Sequence, residues 1–250
     1  MKALITGASS GMGRDMAKIL SQNGYDLILV ARDEKRLEEV KKQLKTETKI
    51  VAMDISKEEN CKKIYEENKD IDILINNAGF GDCGHFEETS LDKDIQMIHT
   101  NIIAYHILTK LYLKEMIKKD SGKILNVASI AGFMPGPLMT TYYSTKNYVV
   151  RFSESIREEL RRKKSKVQIS ILCPGPVDTN FNKVAHGEFS IKEASPKYVA
   201  EYAINKLFKK KMIIIPTFRI KLGIFLLRIL PYRIQLIYCY HIQGKKLGIK

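Results

Sequence analysis

Short apolar runs alternate along most of the chain with stretches whose apolar residues recur at helical spacing. Runs at Lys2–Thr6, Tyr25–Val30, Ile50–Met53, Ile71–Ile75, Lys123–Val127, Val167–Leu172 and Lys211–Ile215 predict seven strands. Between them, Arg14–Asn23, Glu34–Leu44, Lys57–Asn68, Leu91–Lys119 and Tyr142–Leu160 predict helices. A further helix starts at Ser195-Pro196, with serine as cap and proline as first residue. Near-continuous apolar strands alternating with helices predict an α/β fold built on a doubly wound, parallel, seven-stranded sheet.

At 250 residues the chain suits a single domain over residues 1–216, followed by an extension at 217–250. Ile124–Thr145 carries no charge and is long enough to span a bilayer, but its polar residues, prolines and glycines read as a strand and a pocket loop. The strand at Lys2–Thr6 begins so early that no signal or transit peptide is expected. Four scattered cysteines fit a reducing, cytoplasmic setting, and five histidines without ligand spacing predict no metal site. The net charge of +14 is uneven: eleven bases and no acid follow Glu201. The remainder is nearly balanced, which argues against a nucleic-acid binder.

Each strand end carries polar or glycine-rich chemistry. Gly7-Ala8-Ser9-Ser10-Gly11-Met12-Gly13 joins the first strand to the first helix, and such a turn cradles phosphate with backbone N–H groups and the helix N-terminus. The second strand ends in Ala31-Arg32-Asp33, where an NAD enzyme usually places a carboxylate for the ribose 2′-hydroxyl. A guanidinium suits a 2′-phosphate, so Arg32 points to NADP(H), while Asp33 caps the next helix. Asp54-Ile55 ends the third strand, where the aspartate either meets the adenine or caps a helix. Asn76-Asn77-Ala78-Gly79 leaves room for a ligand at the fourth strand end. Asn101, inside a helical pattern, marks either a local kink or a solvent contact. Ser129 follows the fifth strand, and Pro174-Gly175 makes a stiff turn after the sixth. Asn180–Ala194 is a candidate substrate lid. Tyr142 and Lys146 stand four residues apart on one predicted helix face, placing an ammonium beside a phenol. A nearby cation lowers a phenol's pKa, so the pair suits acid/base work between an alcohol and a carbonyl. Alone, the pair is a weak signal and reads more readily as a helix face with an exposed lysine.

Together, in this order and at these spacings, Thr6-Gly7-x-x-x-Gly11-x-Gly13, Asp54, Asn76–Gly79, Asn101, Ser129, Tyr142-x-x-x-Lys146, Pro174-Gly175 and Thr179 resemble the short-chain dehydrogenase/reductase family. The resemblance implies a Rossmann-type fold and an NADP(H)-dependent oxidoreductase acting on a carbonyl or secondary alcohol. It implies that Tyr142 is the acid/base, that Ser129 orients the substrate carbonyl, and that Lys146 binds the nicotinamide ribose and lowers the tyrosine's pKa. Asn101 would help hold a water. Met12 and Gly13 would meet the pyrophosphate, and Val177 and Thr179 the carboxamide. It also implies a homodimer or homotetramer built through the helices near Asp94–Lys119 and Tyr142–Leu160. The substrate expected is apolar and lipid-like, such as a ketoacyl or sterol compound; a broad carbonyl reductase without a lipid link, or a non-catalytic NADP-binding membrane-associated protein, is the alternative.

The extension falls outside that pattern. Phe218–Leu230 is apolar but interrupted by bases, too short and too charged to span a bilayer, and ended by Pro231. At about 100° per residue, Arg219 and Arg228 fall on opposite sides. Three roles remain open: packing on its own domain or on another subunit, peripheral contact with a membrane surface, or a lid over an apolar substrate.

Overall fold

The computed structural model describes residues 1–179 and 193–248. Its centre is a seven-stranded, all-parallel sheet in the order β3-β2-β1-β4-β5-β6-β7. The strands are β1 (Lys2–Thr6), β2 (Asp26–Ala31), β3 (Thr48–Ala52), β4 (Ile73–Asn76), β5 (Lys123–Val127), β6 (Gln168–Leu172) and β7 (Ile213–Ile214). The strand order reverses between β1 and β4, and in open α/β sheets the crevice at such a reversal is where ligands bind.

Strand alternation divides the core. On one face Ile5 and Leu29 pack with Leu20 of α1 (Gly11–Gln22) and Leu207 of the helix before β7. On the other, Leu4 and Ile124 pack with Ile64 of α3 (Glu58–Glu67) and with Leu108 and Tyr112 of a later helix. With both faces covered, the central strands are apolar throughout, as their sequence requires.

Helix α2 (Glu34–Lys41) starts as predicted, with the Asp33 carboxylate accepting from Arg36 N–H at 3.0 Å. Asp54 is not a helix cap: Lys57 holds that position before α3, and Asp54 Oδ1 instead accepts from Ser56 N–H at 2.9 Å in the preceding turn. The single helix expected over Leu91–Lys119 is three pieces. Helix α4 (Leu91–Ile98) and α5 (Ala104–Lys118) are joined by a π-helical turn, His99–Ile103, which contains Asn101. Such a turn marks an interrupted hydrogen-bond ladder and is frequent at functional sites. Asn101 is fully buried, which excludes a solvent contact.

Helix α6 (Thr140–Arg162) carries Tyr142 and Lys146, and α7 (Pro196–Phe208) opens on the Ser195 cap, whose hydroxyl accepts from Tyr198 N–H. Strand β7 is shorter than predicted, pairing only Ile213 and Ile214 with β6. The extension forms two helices, α8 (Phe218–Ile229) and α9 (Tyr232–Lys246), separated at Leu230-Pro231. The candidate lid lies outside the described residues except at its end, where Ala194 bridges to Val177.

Candidate active site

The C-terminal ends of β1, β4, β5 and β6 open onto one cleft of about 1040 Å³. Its first wall is the glycine turn. Gly7 has φ +66°, a conformation costly for any residue with a side chain, and a Cβ there would lie 2.8 Å from Ala78 Cα. Ser9, Ser10, Gly11 and Met12 line the cleft beside it. Gly13, expected at the pyrophosphate, does not. It is buried, and a Cβ on it would sit 2.3 Å from the Gly7 carbonyl oxygen, so its lack of a side chain lets α1 close against the strand end. The Thr6 hydroxyl accepts from the backbone N–H groups of Asn77 and Ala78, at 2.9 and 3.1 Å, and fixes the exit of β4 beside this turn.

Arg32, Asp54 and Ile55 line one end of the cleft, with Arg36 added from the first turn of α2. Arg36 was not anticipated. Its signal was present, four residues beyond Arg32 in the first turn of a predicted helix, but its side chain also had a local partner in Asp33, at 3.3 Å. Asn77, Ala78 and Gly79 line the middle, and Pro174, Gly175, Val177 and Thr179 the opposite rim.

At the other end Ser129, Tyr142 and Lys146 converge. Ser129 ends β5 and caps a short 3-10 turn, Ile130–Phe133, with its hydroxyl accepting from Ala131 N–H at 3.2 Å. Tyr142 hydrogen-bonds to Ser129. Lys146 Nζ donates to the Val127 carbonyl at 2.9 Å and stands 5.8 Å from the centre of the Tyr142 ring. Asn101 lies behind this group rather than in the cleft. Its amide donates to the Phe80 carbonyl (2.9 Å) and to Thr145 Oγ1 (3.1 Å), and its oxygen accepts from Phe80 N–H (3.2 Å). It therefore ties the exit of β4 to α6. A Cβ on Gly79 would reach 2.9 Å from Asn101 Oδ1 and 3.4 Å from Lys146 Nζ, so only glycine lets the chain pass there without displacing them.

The electrostatics differ from the expectation of an acidified phenol. Burial pushes the Tyr142 hydroxyl up to about 12, and the hydrogen bond from Ser129 only partly opposes it. Burial also brings Lys146 down to about 8. Desolvation disfavours both charged forms and is the leading cause at each group, so the phenol is not acidified as sequence spacing suggested.

The extension builds the remaining wall. Ile220, Ile224 and Leu227 of α8 line the cleft, joined by Cys239 and Gln243 of α9. Ile220 Cδ1 lies 2.2 Å from where a Gly175 Cβ would be, so the β6 turn and α8 meet through that glycine. The Gln243 amide hydrogen-bonds to the Tyr143 hydroxyl, directly behind Tyr142. Local sequence gave no sign of this contact, which joins residues a hundred positions apart.

The family model described as short chain dehydrogenase matches residues 1–188, three quarters of the chain. The chain belongs to that family. This short-chain dehydrogenase is 35% identical over 181 residues to an uncharacterized oxidoreductase of Staphylococcus epidermidis, covering 71% of this chain and 78% of the relative. It is 33% identical over 219 residues to the human very-long-chain 3-oxoacyl-CoA reductase, covering 81% of this chain and 67% of that one. Among solved structures, a Sphingobium yanoikuyae short-chain dehydrogenase in complex with NADPH superimposes with TM-score 0.81 at 25% identity, over 87% of this chain and 88% of that one. A Burkholderia phymatum member in complex with NAD gives TM-score 0.83 at 22% identity, over 100% and 95%, a likeness of fold. The protein is thus an oxidoreductase that works with a nicotinamide cofactor, and its neighbours include users of both NADPH and NAD.

Proposed function

We propose that this dehydrogenase uses NADP(H) to interconvert an apolar, lipid-like ketone or aldehyde and its alcohol. The observation that carries the reading is the Tyr142 hydroxyl bonded to Ser129, one helical turn from Lys146, in the same cleft as the Gly7–Met12 turn. When bound, the reduced nicotinamide supplies the hydride. Gly7–Met12 would hold the pyrophosphate, Asp54 and Ile55 the adenine, and Lys146 the ribose next to the ring.

Ser129 and Tyr142 both offer hydroxyls to a substrate carbonyl oxygen. As negative charge develops on that oxygen, Tyr142 transfers its proton and Ser129 keeps a hydrogen bond to it. A tyrosine held near 12 stays protonated at neutral pH and favours the reductive direction, provided a cation steadies the phenolate left behind. Lys146 is that cation. Its ammonium is present below pH about 8 and lost above it, so the reduction rate should be flat in the neutral range and fall as pH rises through 8. A pH profile of kcat flat to pH 10 would remove Lys146 from this role.

Arg32 supports the choice of NADP(H), and Arg36 lines the same end of the cleft. A charge-assisted hydrogen bond contributes about 1.5–3 kcal/mol, so Arg32→Ala should weaken NADPH by roughly 10- to 100-fold while leaving NADH nearly unchanged. Fluorescence titration with both cofactors checks this, and equal losses would remove the case for the 2′-phosphate. An apolar substrate is supported by Met134, Met139, Ile220, Ile224 and Leu227, which line the same cleft as Tyr142, and by the human relative's name. The direct test is NADPH consumption across diketones, aldehydes and 3-oxoacyl esters of rising chain length. Activity that rises with chain length supports the reading; the absence of turnover across the panel sinks it.

A further inference from the structure

Helix α8 is apolar on two opposite sides. Ile220, Ile224 and Leu227 recur at helical spacing and face the cleft, where Ile224 and Leu227 are 6% and 7% exposed. Phe218, Leu222, Phe225 and Ile229, at the complementary spacing, face outward, with Phe225 61% and Ile229 67% exposed. Helix α9 repeats the arrangement, with Cys239 and Gln243 inward and Ile234 and Ile237 outward, while Tyr238, half-exposed, reaches the rim of the cleft. Eleven of the seventeen large apolar side chains that the described residues expose lie between 218 and 240, so the outer face of these two helices concentrates what other surfaces scatter.

Charge decides what covers it. Lys221 is exposed on one flank of the outward stripe of α8 and Arg219, which also reaches the rim of the cleft, on the other. Arg233 and Lys245 are exposed on α9, and no acid follows Glu201 in the chain. A second copy docked two-fold on this face would meet the same basic flanks with no carboxylate from the extension to answer them. An anionic lipid surface answers them and also takes up the apolar stripe. No helix among the described residues is long and apolar enough to cross a membrane, which leaves an in-plane arrangement.

We propose that the outer face of α8 and α9 docks on an anionic bilayer surface, so that the two helices lie between the lipid and the cleft they line. This extends the proposed reduction by giving its apolar substrate a source, but binding is read without substrate or cofactor, so the two ideas fail separately. In sedimentation, the full chain should bind phosphatidylcholine vesicles containing about 30 mole percent phosphatidylglycerol at least about tenfold more tightly than pure phosphatidylcholine, with the difference shrinking in high salt. Lys221→Gln should weaken the anionic preference by about fivefold. Phe225→Asp with Ile229→Asp should abolish vesicle binding, and because both side chains are already exposed and lie outside the cleft, reduction of a soluble ketone should persist. Failure of the wild-type chain to bind anionic vesicles overturns the proposal. So does a self-associated species in analytical ultracentrifugation that the double variant dissolves while vesicle binding is absent, since a second copy would then own the face.

Discussion

Tyr142→Phe should lower the kcat for carbonyl reduction by about 10²–10⁴-fold, the usual contribution of a positioned general acid, while leaving NADPH affinity within a factor of two or so. The substitution removes one oxygen and keeps the ring, which packs near Met97, Met139 and Tyr143 in a small buried cluster. The lost hydrogen bond is shared with Ser129, whose hydroxyl keeps Ala131 N–H and lies 3.5 Å from the Pro174 carbonyl. The net stability change should therefore stay within about 1 kcal/mol, as expected for one buried hydrogen bond. Stopped-flow hydride transfer, cofactor titration and thermal melting separate the three quantities. Unchanged turnover in a folded variant would remove Tyr142 from the chemistry. Tyr143→Phe is the matched control: its hydroxyl binds Gln243, and its loss should affect the wall of the cleft more than the proton transfer.

Gly13→Val should have the largest structural effect. Its Cβ would be placed 2.3 Å from the Gly7 oxygen and 2.6 Å from Asn77 Nδ2, and the first of these is backbone that no rotamer change can move. Either α1 shifts away from the β1 turn or Gly7 abandons its left-handed geometry, and both disrupt the cradle. Overpacking of this kind costs about 1–3 kcal/mol or more, and a valine adds methyl groups beyond the Cβ. The expected result is loss of measurable NADPH binding together with a melting temperature several degrees lower. Normal binding would show that the turn yields more readily than its packing implies. Gly24→Ala provides contrast, since nothing lies within 4 Å of that position and only its φ of +80° opposes the change.

The two variants probe residues that the sequence revealed to different degrees. Tyr142, Lys146 and Ser129 were legible because a helix repeat and a strand end fix their places before any tertiary contact is known. Gly13 was legible as a glycine in a phosphate turn, but its task is packing rather than contact, a distinction that depends on how closely α1 approaches Gly7. Asn101 stood out as a polar residue inside a helix, yet only the arrival of Phe80 and Thr145 shows it as a tie between two elements. Arg36 was not singled out, because a base in the first turn of a helix is ordinary and its place at the cleft depends on how α2 packs beside β2.

The sense of the pKa shift at Tyr142 is the plainest case. Four-residue spacing correctly places an ammonium near the ring, and from spacing alone the pairing should dominate. Burial decides otherwise, because both side chains lose their water inside the folded domain. Desolvation is set by everything that surrounds a group, so no local pattern reports it.

The sequence by itself determined the alternation of strands and helices, the parallel sheet, and the chemistry at each strand end, because those follow from short apolar runs alternating with a period of about 3.6 and from residues adjacent along the chain. Only the tertiary structure decided that residues 218–246 form a wall of the cleft with a second apolar face left to solvent. A helix apolar on two opposite sides gives the same sequence signal whichever side is buried, and which side meets the domain depends on where Gly175 and Tyr143 stand when the sheet is already built.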